Sequence, residues 1–326
     1  MAPRDSSVST LIRVGRAFLF LVCLVLSVGA GSGCAHQEPL ADAEALTDCT
    51  ARAREALAAG AGIILFDDVP VILLTAAEAK QRRKEYVAGI DESAGLTAAL
   101  DFMADAMFSE HMLGRYLPDE KVVYVIEDVL VSVGNGDADD ALELLFPVLA
   151  HELVHAYDDQ MYDGVPDPSD LIAVMEDSGA LMGLHTQMSL LEGRASYASY
   201  LACVYAGVEP LPEPTAEQAR DAVFVNSDGS MGMDVLSGIG NGIGRMKFMQ
   251  YVSGWKFAER AYNYGGEPFF EHIFNHLPLS MEELEEFDLF VIRWAEEMEE
   301  MEDAMDSEAE GVGDESEGPA DVRQGP

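Results

Sequence analysis

Apolar and polar positions divide the chain into alternating helical and extended stretches. Cys49–Ala59 reads as a helix closed by Gly60 and Gly62. Ile63–Phe66 and Val69–Leu74 are apolar runs expected as strand. Thr75 followed three residues later by Glu78 is a capping box, opening a charged helix through Tyr86. A second helical region is expected from Leu96 through Ala106. The β-branched and aromatic runs Lys121–Ile126 and Val129–Val133 read as two further strands, the latter ended by Gly134-Asn135-Gly136. Asp137 suits the cap of a long helix reaching roughly Gln160, with Pro147 either kinking it or ending an earlier helix. Helical pattern resumes at Leu171 and runs past Ala195. After a proline-marked connection, helices are expected over Thr215–Val225, from Tyr251 to the pair Gly265-Gly266, and from Pro268 to His276. A further helix is opened by Ser280 with Glu283.

At the centre of the long helix stands His151-Glu152-Leu153-Val154-His155. Residues four apart share one face of a helix, so two imidazoles can present nitrogens to one metal ion. Glu152, next to the first histidine, sits where a general base must be to take a proton from water at the metal. The flanking Val148, Leu149, Ala156 and Tyr157 are uncharged, as a buried helix requires. The competing account is two histidines on an ordinary amphipathic helix, but it leaves Glu152 as a buried charge without a partner. The motif and its flanks resemble the extended signature of the zincin metallopeptidases.

A catalytic zinc needs a third protein ligand. The metzincin pattern would place glycine at 158 and histidine at 161, where Asp158 and Met161 stand, so that class is excluded. The remaining route is a carboxylate from a second helix. Glu192 is the leading candidate, with Gly193 and Ala195 beside it as small residues that let two helices approach closely. His185 is its rival, two turns earlier, and Glu176 and Asp177 stand further back. Asp159, four residues past His155, is a candidate to orient a ligand histidine or an ordinary solvated acid. For an oxyanion donor, Tyr251, Arg245, His272 and His276 are available, and Tyr251 is preferred.

The Glu-Gly-x-Ala string at 192–195 resembles the third-ligand helix of a poorly characterised group of gluzincin-like bacterial metallopeptidases. His155-Ala156, Asp159-Gln160 and the succession Tyr251-x-x-Gly254-x-x-Phe257, Gly265-Gly266 and Leu277-Pro278-x-Ser280 resemble the same group. The resemblance covers 145–283 in patches. It implies an α+β, zincin-like unit: a small mixed sheet, an active-site helix and a mostly helical C-terminal subdomain. It also implies a zinc site of His151, His155 and Glu192 that hydrolyses peptide bonds, with Glu152 and Tyr251 catalytic. The strands before the metal helix then either border the cleft or form an ordinary sheet interior.

Composition narrows the partners. Of the 326 residues, 59 are acidic and 19 basic, and the net charge of −40 repels nucleic acid and anionic membrane surfaces. The start of the chain is an address. Arg4, Arg13 and Arg16 precede an apolar run from Ala17, too short for a comfortable span, and then Gly31-Ser32-Gly33-Cys34. This placement of Cys34 resembles the lipobox of bacterial lipoproteins, although Gly31 stands where that pattern has an aliphatic residue. Residues 1–33 are expected to be a signal segment, 34–48 a tether anchored through lipid on Cys34, 49–294 the metallopeptidase domain and 295–326 an acidic tail whose start can extend a helix and whose end is disordered. In an exported protein Cys49 and Cys203 either pair or remain core thiols. Gly238-Ile239-Gly240 lacks the strand–turn–helix context of a phosphate loop and reads as a flexible loop. The competing function is an inactive binding or assembly module, and intact Glu152 argues against it. A structural zinc ranks below both, since such sites are closed by four ligands, often cysteines.

Overall fold

A computed structural model describes residues 40, 43–89, 113–134, 136–162, 178–211, 213 and 251–311. Signal segment, Cys34, Glu176, Asp177, Arg245, the glycine-rich loop and the expected helices at 96–106 and 215–225 lie outside them.

Helix α1 (Ala43–Ala61) begins inside the expected tether and buries Ala53, Ala56, Leu57 and Ala61. These small residues let it lie along two later helices. Strand β1 (Val71–Leu74) leads into α2 (Ala76–Gly89). The capping box is formed as expected: Thr75 N–H donates to Glu78 Oε2 at 2.8 Å, and Glu78 N–H donates to Thr75 Oγ1 at 3.2 Å. Strands β2 (Gly114–Leu117) and β3 (Val122–Ile126) complete a three-stranded mixed sheet of order β1-β3-β2. β1 runs parallel to β3 with Val71 opposite Val123, and β2 runs antiparallel with Gly114 opposite Val125. Alternation in β3 sends Val123 and Val125 into the main core. Tyr124 and Ile126 enter a small cluster with Leu74, Ala79 and Leu117.

Two expected strands are absent. Residues 63–66 pair with no strand, although Ile63 is buried. Residues 129–133 belong to helix α3 (Glu127–Val133). The reason is tertiary. Asp128 Oδ2 accepts from Ala76 N–H at 2.5 Å and Glu127 Oε2 from Leu40 N–H at 3.2 Å, which anchors the first turn. Leu130 and Val133, three apart, are the buried positions. Local β propensity loses to those contacts.

Helix α4 (Ala138–Tyr162) is capped by Asp137, whose Oδ1 accepts from Asp139 and Asp140 N–H, and it continues through Pro147. Helix α5 (Ser178–Ala206) follows, then α6 (251–265), α7 (Glu267–Asn275), α8 (Met281–Glu285) and α9 (Phe287–Gly311). Gly266, at φ 68°, ends α6 and starts α7. Ser280 accepts from Glu283 N–H at 3.2 Å and caps α8. α9 carries helix into the start of the acidic stretch, as the sequence allowed, and residues 312–326 lie outside the described residues. Met and Glu favour helix, and Arg293 reaches Glu297 four residues on. The described molecule is thus α+β, mostly helical with one small sheet. Cys49 and Cys203 are unpaired and pack in or against the main core.

Helix α5 joins two cores. Ala195, Ala198 and Ala202 face the sheet, α1 and α4, whereas Leu190 and Tyr197 pack with Trp255, Phe257 and Phe270 of the C-terminal helices. Between these faces α5 crosses α6 at Gly193 and Gly254. A Cβ on Gly193 would fall inside the van der Waals envelope of the Gly254 backbone, which has no side-chain freedom to yield. Gly193→Ala is therefore expected to destabilise the fold by about 3 kcal/mol. Urea denaturation would measure this, and an unchanged midpoint would refute the close crossing.

Candidate metal centre

α4 and α5 run antiparallel, in contact along one face of each. Glu192, Ser196 and Ser199 of α5 meet, in turn, the two motif histidines, His151 and the Pro147 carbonyl. Spacings of four and three on α5 keep these residues on one stripe. Ser199 Oγ donates to Pro147 O at 2.9 Å, and Ser196 Oγ lies 3.5 Å from His151 Nδ1.

At this crossing three side chains converge. His151 Nε2 lies 3.2 Å from His155 Nε2 and 3.3 Å from Glu192 Oε2, and His155 Nε2 lies 3.6 Å from the same oxygen. A tetrahedral ion with bonds of about 2.1 Å separates its ligand atoms by about 3.4 Å. The triangle has that size, so His151, His155 and Glu192 form a buried group that can hold a metal ion. Burial opposes the charge of Glu192, but the hydrogen bonds and positive field of the histidines hold its pKa well below the usual carboxylate range. Burial likewise opposes a charged His155. Glu192, Glu152 and Asp158 outweigh it and raise the imidazole pKa.

Glu152 is not one of the three residues of the metal group, but its charge acts on His155. Its Oε2 accepts the Tyr116 N–H of β2 at 2.7 Å, so the sheet edge fixes one carboxylate oxygen. Gly114 permits this approach, because a Cβ there would lie 2.7 Å from Val148 Cγ1 and 3.1 Å from Glu152 Cγ. The strand against the metal helix is therefore β2. Of the two expected border strands, 122–126 is the sheet centre and 129–133 is helical.

Tyr251 of α6 stacks near His151 with ring centroids 6.3 Å apart, and the Glu192 carboxylate is close enough to act on its hydroxyl. Burial and the Glu192 carboxylate raise its pKa well above that of a free phenol, whereas the Arg115 charge opposes the rise. It is a proton donor at neutral pH. His185 is not in the metal group, and burial lowers its pKa. His272 and His276 belong to the C-terminal helices, one against Trp294 and the other against Glu297. Asp159 does not orient a ligand histidine; it accepts from Tyr116 OH at 2.6 Å.

The sequence reading missed four partners. Ser196 was findable, being four residues past Glu192. The Tyr116 N–H was not, because a backbone donor leaves no residue signature. Arg194 pairs with Glu267, across 73 residues of chain, and with Asp158.

No family model matches this chain, and no curated protein matches it. Among solved structures, the crystal structure of a putative hydrolase with a novel fold from Chloroflexus aurantiacus is similar. Its TM-score is 0.51 at 16% identity, covering 86% of this chain and 97% of that one. At that identity the likeness is one of fold.

Two outcomes follow for metal binding. Glu192→Ala is expected to abolish tight binding of a divalent metal ion and His185→Ala to preserve it, as measured by metal content after dialysis. Protons compete with the ion for His155, whose raised pKa moves that competition to higher pH. Affinity should therefore fall as pH drops through the imidazole range, beginning above the ordinary histidine pKa, while Glu192 stays ionised throughout. Chelator competition across that range checks this, and a flat profile would contradict it.

Proposed function

We propose that this protein is a zinc-dependent peptidase. The observation that carries the reading is the triangle of His151, His155 and Glu192 at tetrahedral ligand spacing, with the Glu152 carboxylate held beside it. Two imidazoles and one carboxylate are the donor set of catalytic zinc sites, which leave a fourth position open to substrate and water. The fold neighbour is described as a hydrolase, which agrees at a coarser level.

When bound, zinc supplies Lewis acidity that lowers the pKa of water to about 7 and polarises a carbonyl. The residues of the chain do the rest. Glu152, anchored through Oε2 by Tyr116 N–H, takes the proton of the attacking water and returns it to the leaving amine. Tyr251, kept protonated, donates its hydroxyl to the developing oxyanion. β2 packs on Glu152 and excludes solvent from its anchored side. We further propose that the enzyme works outside the cytoplasm, tethered by lipid on Cys34, on peptide or protein substrates. No helix among the described residues is long and apolar enough to cross a membrane.

Glu152→Gln is expected to keep zinc and lose about 10²-fold or more in turnover of a denatured-protein substrate. Tyr251→Phe should lower kcat about 10²-fold with little change in KM. Wild-type protein that holds zinc yet cleaves no peptide, or a Glu152→Gln variant with full activity, would refute the assignment.

A further inference from the structure

Arg194 is fully buried, two residues past Glu192 on α5. It donates to Asp158 Oδ1 of α4 and, through Nη2, to both oxygens of Glu267 at 2.7 and 2.9 Å. Tyr157 and Tyr162 of α4 and Phe270 and Phe274 of α7 surround the guanidinium at 4.6–5.4 Å from their ring centroids. Tyr162 and Tyr262 hydroxyls also donate to Glu267.

Stability alone is a weak reason for such a cluster, since well-packed apolar residues in place of a buried ion pair are often neutral or stabilising. Its position suggests another use. Successive helical residues step by about 100°, so Glu192 and Arg194 leave α5 on opposite flanks. Both side chains nevertheless end on α4, at His151 and His155 on one flank and at Asp158 on the other. Gly193, between them, lies against Gly254 of α6. A helix held on both flanks and pressed from a third side cannot roll or slide.

We infer that Arg194 is a positioning residue for the metal: its clamp on Asp158 and Glu267 fixes the rotation of α5 that brings the Glu192 carboxylate to the histidine pair. The inference rests on the metal-site reading. A roll of α5 by a fraction of a turn would carry Glu192 Oε2 out of ligand distance of the histidine pair. Arg194 touches neither metal nor substrate and acts through Glu192.

The test measures zinc affinity by chelator competition and the visible absorption of the cobalt-substituted protein. The samples are wild type, Arg194→Met, Arg194→Lys and Arg293→Met. Arg293 makes a comparable carboxylate cluster with Glu283 and Glu297, away from the metal group, and controls for general destabilisation. Arg194→Met should weaken zinc binding about tenfold or more and alter the cobalt spectrum, with partial recovery in Arg194→Lys. Arg293→Met should lower Tm and leave both readouts unchanged. If Arg194→Met does not fold, Glu267→Gln, which keeps shape and removes charge, is expected to shift the same two readouts. Wild-type affinity and spectrum in Arg194→Met, or in Glu267→Gln where the first is insoluble, overturn the inference whatever the Tm. Wild-type protein that binds no metal instead defeats the reading beneath it.

Discussion

A carboxylate buried between two imidazoles is the feature on which this structure turns. Glu192, His151 and His155 face one another at the crossing of two long helices, at distances that suit coordination better than direct hydrogen bonding among them. Without a cation, such a group holds charge in a place where charge is costly. The crossing is correspondingly over-determined. Glu192, Gly193 and Arg194 are consecutive, and they reach the histidine pair, the backbone of α6 and the carboxylates of Asp158 and Glu267 in turn. Ser196 and Ser199 continue the contact with α4.

The sheet supplies the other half of the site. Glu152 and Glu192 are both buried glutamates, but their surroundings differ and so do their roles. Glu192 is enclosed by imidazoles and a phenol. Glu152 faces the edge of β2, where the Tyr116 N–H holds one of its oxygens. Tyr116 is itself fixed at both ends, by Glu152 at its amide and by Asp159 at its hydroxyl. The sheet edge is thus keyed to α4 on either side of His155, and Gly114 makes room for the close approach.

The parts of this arrangement legible in the sequence were those written in side-chain identity at short range. The paired histidines and Glu152 declare themselves by helical spacing, and the Thr75 and Ser280 caps by their partners three residues on. Glu192 could be preferred to His185 because small neighbours promised a close helix contact. Gly193 does make a close contact, but with Gly254 of α6 rather than with α4. What stayed hidden was written at long range or in the backbone. Residues 129–133 look like strand until Ala76 and Leu40 are seen donating to Asp128 and Glu127 just before them. Asp158 showed only as a departure from another peptidase pattern, because Arg194 and Glu267 lie far along the chain. The start of α1 at Ala43 shows propensity and packing overriding a polar, tether-like composition.

The most direct measurement is the zinc X-ray absorption fine structure of the protein loaded with one equivalent of zinc. Two imidazole nitrogens and a carboxylate oxygen at about 2.0–2.1 Å, with a fourth light-atom ligand, are the predicted shell. A sulfur shell, a fully hydrated ion, or no retained zinc would contradict the account.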